Sequence, residues 1–145
     1  MQQQFIDAYK NDEYAFRNAC YHGHLHFAQW LISVKPNINI SSGNEWAFRF
    51  ACCYGHLRVA QWLLSVKPDI NISAESEHAF RWACHNGYLQ VAQWLLSIKP
   101  DINISANDKH AFRWTCSNGH LQVAHGYCPL NLILIFLLEM KKLFV

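Results

Sequence analysis

Residues 45–76 read EWAFRFACCYGHLRVAQWLLSVKPDINISAES, and this stretch decides the fold because close copies of it fill most of the chain. One copy precedes it at 13–44, another follows at 77–108, and a partial copy covers 109–124. A fixed period of this size is typical of stacked-repeat proteins, in which each unit contacts only its neighbours. The sequence therefore predicts a solenoid of about four units with a 32-residue period.

Each unit contains two segments with the apolar spacing of a helix. In the second copy the first segment repeats apolar residues at i, i+3 and i+4, and Gly55 follows it as a helix terminator. A second helix begins at Leu57, and Pro68 ends it because proline disfavours a helical residue before it. The segment 69–73 alternates polar and apolar residues, which predicts an extended loop. The fold class is therefore all-α, built from helix-turn-helix units.

This unit resembles the ankyrin repeat. The family pattern is roughly T-P-L-H-x-A-A-x-x-G-H-L-x-V-V-x-L-L-L, with a loop that ends near D-V-N-A. The matching segments here are Gly55-His56-Leu57, Trp62-Leu63-Leu64 and Asp69-Ile70-Asn71-Ile72. The resemblance covers roughly residues 5–124 and implies an ankyrin-like solenoid, a fold that usually presents a long surface to a protein partner.

The copies also depart from the family pattern. In place of T-P-L-H they carry an aromatic residue or histidine followed by Ala-Phe-Arg, and Lys-Pro replaces the loop's G-A. This variant resembles the divergent ankyrin families of amoeba-infecting giant DNA viruses. The arginine is expected to hydrogen-bond loop carbonyls or a nearby glutamate, since stacked like charges need partners. The four arginines of this ladder are Arg17, Arg49, Arg81 and Arg113.

The segments outside the copies have different origins. Residues 1–12 are interpreted as the remnant of a preceding repeat loop, because Phe5-Ile6-Asp7-Ala8 looks like a closing loop. Residues 125–145 form an apolar tail, HGYCPLNLILIFLLEMKKLFV, where the repeat should continue. A one-nucleotide shift of a DNA string encoding this tail restores repeat-like residues, which indicates a frameshift. The tail is expected to form a replacement helix or, if exposed, to promote aggregation.

Composition excludes several classes of function. The chain has 145 residues, of which 52% are apolar and 15% charged, and a net charge of +2 without a basic cluster, so we expect no nucleic-acid binding. The start MQQQFIDAYKND has no signal-peptide pattern, and the apolar run 130–138 is too short to span a bilayer. We therefore expect no membrane partner, a location in the host-cell cytoplasm, and reduced cysteines.

Positions that vary between otherwise equal copies are the candidates for partner contact. They lie on the first helices and the loop tips, which line the concave surface in ankyrin-like stacks. The alternative, neutral drift on a solvated surface, stays open. The candidate residues are Tyr14, Trp46, His78, His110, Tyr54, His85, Asn86, Glu75 and Asn107.

Metal and catalytic sites are not expected. Cysteine and histidine recur at Cys-x3-His spacing, for example Cys52 and His56, but Tyr88 occupies the histidine position of the third copy. Helices of neighbouring repeats lie about 8–10 Å apart, whereas zinc ligands lie within about 2.3 Å of one ion. The cysteines are better explained as small buried core residues. The histidines lack a recurrent nucleophile, so we predict no enzyme activity and no cofactor.

Two functions remain after these exclusions. The first is a non-enzymatic protein-interaction scaffold, a viral ankyrin adaptor that binds a host or viral protein. The second is a truncated remnant of a longer array with little or no independent activity. We expect a monomer unless the apolar tail self-associates.

Overall fold

Six α-helices follow one another in a computed structural model that describes residues 2–103, with side chains from residue 12 onward. Within these residues there is no β-strand, and the all-α prediction is confirmed. The fourth unit and the tail at 125–145 lie outside the described residues. The helices are α1 Gln2–Tyr21, α2 Leu25–Val34, α3 Ser42–Cys53, α4 Leu57–Val66, α5 Ala74–His85 and α6 Leu89–Ile98.

The helices form two rows. The first helices α1, α3 and α5 contact one another in sequence, and each packs against the second helix of its own repeat, α2, α4 or α6. The core repeats with the sequence period: the Ala-Phe-Arg phenylalanine is buried in every described copy, and so is the cysteine four residues later. The three described Ala-Phe-Arg segments therefore lie side by side in successive repeats, as the solenoid prediction requires.

Two features of the structure require glycine at the turn between the two helices of a repeat. Gly23 and Gly55 have φ angles of +75° and +79°, in the left-handed region that glycine adopts without strain. A Cβ at Gly23 would also lie 2.5 Å from the His56 ring, and one at Gly55 would lie 2.5 Å from the Tyr88 ring. Each glycine thus makes room for a ring of the following repeat.

The second helices end where the sequence predicts. Helices α2, α4 and α6 stop at the residue before Lys-Pro. The segments that follow are turns, not the extended arms predicted from their alternation. In each turn the first isoleucine is buried, which explains the alternation as a burial pattern without a strand. These anchors are Ile38, Ile70 and Ile102.

The loop tips contain a single turn of left-handed backbone. Gly43, Asn44 and Glu45 have φ angles of 67°, 60° and 61°, and residues 75–77 repeat this geometry. Left-handed residues other than glycine cost roughly 1–2 kcal/mol each, so the turn needs outside support. Right-handed helix resumes after it.

The arginine ladder supplies that support. Arg49 Nε donates to the Asn44 carbonyl at 2.8 Å, and Arg49 Nη2 donates to the Gly43 carbonyl at 3.1 Å. Arg81 makes the same two bonds, to carbonyls at 75 and 76. The predicted hydrogen bonds from arginine to loop carbonyls are therefore confirmed at both positions. Hereafter we call this arrangement the arginine clamp.

A buried glutamate completes each loop tip. Glu45 is 8% exposed, accepts a 2.7 Å bond from the Ser41 hydroxyl, and accepts a 3.3 Å bond from the Asn71 backbone N–H. Glu77 occupies the equivalent buried position and accepts from Ser73 at 2.8 Å. The carboxylate ties the start of a repeat to the loop at its end, so arginine and glutamate together fix the tip.

The N-terminal segment differs from the prediction. Residues 2–12 belong to helix α1, whereas the sequence was interpreted as a loop remnant over 1–12. The reason is the absence of a helix breaker: 2–21 contains neither glycine nor proline, while the later loops carry Lys-Pro. The helix therefore continues through the segment where other repeats have a loop tip.

Candidate binding face

A row of aromatic side chains runs across the first helices. Trp46 and Phe50 of α3 and Tyr54, the residue that caps its C-terminal end, are spaced four residues apart, which places them on one side of the helix. The Trp46 and Phe50 rings stack with centroids 4.2 Å apart. We call the row the aromatic strip. It consists of Tyr21, Trp46, Phe50, Tyr54, His78, Trp82 and His85.

The strip is continuous from one repeat to the next. Tyr21 of α1 stacks on Trp46 at 5.9 Å and approaches Tyr54 at 4.4 Å. Phe50 of α3 contacts His78 of α5 at 5.4 Å. On α5 the row continues from His78 to Trp82 at 5.9 Å and from Trp82 to His85 at 4.8 Å. Three repeats therefore share one aromatic surface.

The strip is half-exposed and has guanidinium groups beside it. Tyr54 is 38% exposed, while Trp46, Phe50 and Trp82 are half-buried. Arg17 lies over the Trp46 ring with its Cζ 5.7 Å from the centroid, a cation–π distance. Partly exposed aromatic rings held in fixed positions are the residues that dominate the energetics of protein interfaces.

Two titratable groups of the strip, His78 and Tyr54, have shifted pKa values. Burial, and to a smaller extent the charges of Arg49 and Arg81, lower the pKa of His78 to about 4. The hydrogen bond with Tyr21 and then burial raise the pKa of Tyr54 to about 12. Near neutral pH these two side chains are therefore uncharged.

The loop tips are linked along the stack. The Asn44 side-chain amide donates to the Glu75 carboxylate of the next tip. At the C-terminal ends of α3 and α5, Asn86 Nδ2 donates to the Cys53 carbonyl oxygen at 2.8 Å. Glu75 and Asn86, both candidates for partner contact, therefore already make bonds between repeats.

The other candidate residues fall into three groups. Trp46, Tyr54, His78 and His85 come together in the aromatic strip. Tyr14 lies on α1 and is the most exposed large apolar residue described, at 66%. His110 and Asn107 lie outside the described residues. Partner contact at these positions stays a prediction.

Two residues at the centre of the strip were not among the predicted contacts. Phe50 and Trp82 occupy one repeat position, where the first copy has Asn18 and the fourth has Trp114. This position varies between copies as strongly as the candidate positions do. Variation between copies, the signal used for the other candidates, would therefore have identified it as well.

The cysteine and histidine pairs have structural roles. Cys20 and Cys52 are fully buried, and burial raises the pKa of the Cys20 thiol to about 12. His56 Nε2 lies 3.0 Å from the Tyr21 carbonyl oxygen of the preceding repeat, a hydrogen bond that ties two repeats together. Within residues 2–103, no group of three or more histidine, cysteine or acidic side chains could hold a metal ion.

Comparisons with known proteins agree with this architecture. Residues 45–96 match the family model of ankyrin repeats in many copies. A solved X-ray structure, an ankyrin repeat family protein from Legionella pneumophila, is similar with 33% identity and a TM-score of 0.71. The match covers 84% of this chain and 38% of that one. No curated protein matches the chain. No helix in the part of the chain that the structure describes is long and apolar enough to cross a membrane.

Proposed function

We propose that this chain, which has the ankyrin-repeat fold, is a non-enzymatic scaffold that binds a protein partner through the aromatic strip. Ankyrin repeats generally mediate protein–protein interaction, and such proteins are typically without catalytic activity. The observation that carries the proposal is the continuity of the strip over three repeats. A surface that long suits an extended contact with another protein better than a small substrate.

The chemistry of the strip supports a protein partner. Its rings are large and fixed by stacking, so binding would cost little side-chain entropy. The loop tips add fixed polar groups at one border, because the arginine clamp and the buried glutamate hold their backbone. An apolar centre with a polar border is the usual anatomy of a protein interface.

The specific setting is a further part of the proposal. The Ala-Phe-Arg and Lys-Pro-Asp-Ile-Asn-Ile motifs support a viral adaptor that works in the host-cell cytoplasm on a host or viral protein. The alternative is a truncated remnant with little or no activity, and the tail sequence after Ala124 favours it.

Affinity capture with matched variants separates these functions. The wild type and the double variant Trp46→Ala/His78→Ala are used as baits in host-cell lysate, and each captured protein is then purified and titrated. Trp30→Ala is the control, because it removes an exposed tryptophan of α2, away from the strip. The scaffold proposal expects saturable binding that the double variant weakens at least about 30-fold and the control leaves unchanged.

Two results would count against the scaffold. One is a partner that binds the wild type and the double variant equally well. The other is a folded wild type that captures no saturable partner, which is the outcome expected of a remnant. Far-UV circular dichroism of each variant shows that lost binding is not lost folding.

A further inference from the structure

The turns between the two helices of each repeat carry basic side chains and no acidic ones. In the three described repeats they read NACYHGHLH at 18–26, FACCYGHLR at 50–58 and WACHNGYLQ at 82–90. Between residues 14 and 68 the one acidic residue is Glu45, which is buried at the start of α3 and already accepts two hydrogen bonds. The turns themselves therefore supply no carboxylate to their histidines and arginine.

The first two turns form an open groove between neighbouring repeats. The groove has a volume of about 770 Å³. Its walls include His24 and His26 of the first repeat and His56 and Arg58 of the second, and Gln90 of the third repeat also lines it. We call it the turn groove. None of the residues of the aromatic strip lines it, so the two surfaces are distinct.

The histidines at this end of the repeats lie close together. The His22 and His24 rings stack with centroids 5.9 Å apart. Burial lowers the pKa of His56, and its hydrogen bond with the Tyr21 carbonyl opposes this shift. The neighbouring charges of His22 and His24 lower the pKa of His56 further. His56 is therefore held in the structure as a neutral link between repeats, and the charge of the groove has to come from its other basic groups.

One repeat position places an exposed polar side chain in the groove in every described repeat. His26, Arg58 and Gln90 occupy this position, and all three are exposed. None of the three side chains makes a hydrogen bond or an ion pair with another residue of the described part of the chain. The third turn adds Tyr88, whose ring packs against Gly55 in the groove wall. The donors at this position are thus available to a ligand.

We propose that the turn groove binds an acidic segment of another protein, with carboxylates of that segment placed against His26 and Arg58. Charge complementarity selects the ligand, because the described walls of the groove offer cationic and hydrogen-bond-donating groups and no acid. A guanidinium can also donate two parallel hydrogen bonds to one carboxylate. The proposal does not depend on the role of the aromatic strip.

The spacing of these groups fits a peptide better than a nucleic acid. Helices of neighbouring repeats lie roughly 10 Å apart, so the groove repeats its donor position at about that interval. A peptide in the polyproline II conformation places every third side chain on one side, about 9 Å apart. A nucleic-acid strand instead carries a phosphate about every 3.4 Å along the helix axis, which is much denser than the basic groups here.

Fluorescence anisotropy of a labelled octa-aspartate peptide, titrated with the full chain in 0.15 M salt, tests the proposal. We expect saturable binding that tightens about 10-fold between pH 7.5 and pH 6.0. Histidine gains its positive charge as pH falls through this range, whereas aspartate stays ionised, so the attraction grows. No saturable binding at pH 6.0, or binding that does not tighten as pH falls, overturns the proposal.

Two variants borrow the residue of the third repeat. Arg58→Gln and His26→Gln each introduce the glutamine that the chain already carries at position 90, so both should keep the fold, which circular dichroism checks. Arg58→Gln should weaken binding about 5-fold at both pH values. His26→Gln should leave binding at pH 7.5 almost unchanged and reduce the gain at pH 6.0 to about 4-fold or less.

Lys67→Gln is the matched control for Arg58→Gln. It removes the same charge just beyond the opposite end of α4, roughly 15 Å along a helix of 10 residues. That distance exceeds the screening length of about 8 Å at this salt concentration, so binding should stay within about 2-fold of the wild type. Equal weakening by both variants would show attraction to the net charge alone and overturn the proposal. Tighter binding of an oligothymidylate of the same charge would assign the groove to nucleic acid and overturn it as well.

Discussion

The most direct test of the stacking geometry is the substitution Gly55→Ala. Gly55 has a φ of +79°, and a left-handed alanine costs roughly 1–2 kcal/mol. The new methyl group would also lie 2.5 Å from Tyr88 Cδ1 and 2.6 Å from Cε1, closer than carbon atoms approach. Moving a ring of the next repeat costs about 1–3 kcal/mol. We expect the free energy of unfolding to fall by about 3 kcal/mol, a large part of the 5–15 kcal/mol typical of a domain.

Gly43→Ala provides the matched control. Gly43 has a φ of +67°, so alanine pays a similar backbone cost, but the nearest atoms to its Cβ are Arg17 Nη1 and Trp46 Cβ at 3.3 Å. We expect a loss of only about 1 kcal/mol there. The difference of about 2 kcal/mol between the two variants isolates the contact with Tyr88 from the backbone strain.

Urea denaturation, followed by far-UV circular dichroism, measures both variants and the double variant Gly55→Ala/Tyr88→Ala. In the Tyr88→Ala background the cost of Gly55→Ala should fall by about 2 kcal/mol, because the methyl group then meets empty space. If Gly43→Ala costs as much as Gly55→Ala, or if Tyr88→Ala gives no relief, then the ring of the next repeat does not pack on this glycine and the proposed register is wrong.

Three further predictions concern the clamp, the strip and the core. Arg49→Lys should lower the free energy of unfolding by about 2 kcal/mol, since lysine cannot make both bonds to the carbonyls of Gly43 and Asn44, and urea titration measures it. The pKa of His78 lies near 4 in the folded state, below its ordinary 6.5. The unfolded chain therefore binds the proton first, so stability should fall as pH drops from 6.5 towards 4, and His78→Phe should flatten that slope in melts at stepped pH. The Cys52 thiol, fully buried with a raised pKa, should resist iodoacetamide in the folded protein and react on unfolding, as peptide mass spectrometry would show.

The features that the sequence predicted are those encoded by neighbouring residues. Glycine, Lys-Pro and apolar spacing act within one or two turns, so the ends of α2, α4 and α6 follow directly from them. Because the sequence repeats, a helix end predicted in one copy is expected at the same position of the others. The loop interpretation of 1–12 failed for the opposite reason. It rested on likeness to a loop of a complete repeat, while the local signal, a stretch without glycine or proline, favoured a helix.

The left-handed turn at the loop tip could not be derived from local preference. Glu75, Ser76 and Glu77 adopt φ angles of 55°, 55° and 61°, although none of these residue types favours that region. Two contacts stabilise the turn. The Arg81 guanidinium donates to the carbonyl oxygens of Glu75 and Ser76, and the buried Glu77 carboxylate accepts from the Ser73 hydroxyl. The repeated arginine was visible in the sequence, but the backbone conformation that it stabilises depends on contacts across five or six residues.

The aromatic strip is formed by first-helix positions that do not fix the backbone. The arginine clamp, the glycine turn and the buried isoleucine fix the backbone in the same way in the second and third repeats, so the remaining first-helix positions can change without moving it. At these positions the second repeat presents Trp46 and Phe50, and the third presents His78 and Trp82. The strip is therefore different at each step along the stack. A partner that binds the strip is therefore expected to bind in one register and one direction. Exchanging the strip side chains of the second repeat with those of the third should abolish this binding and leave the fold intact.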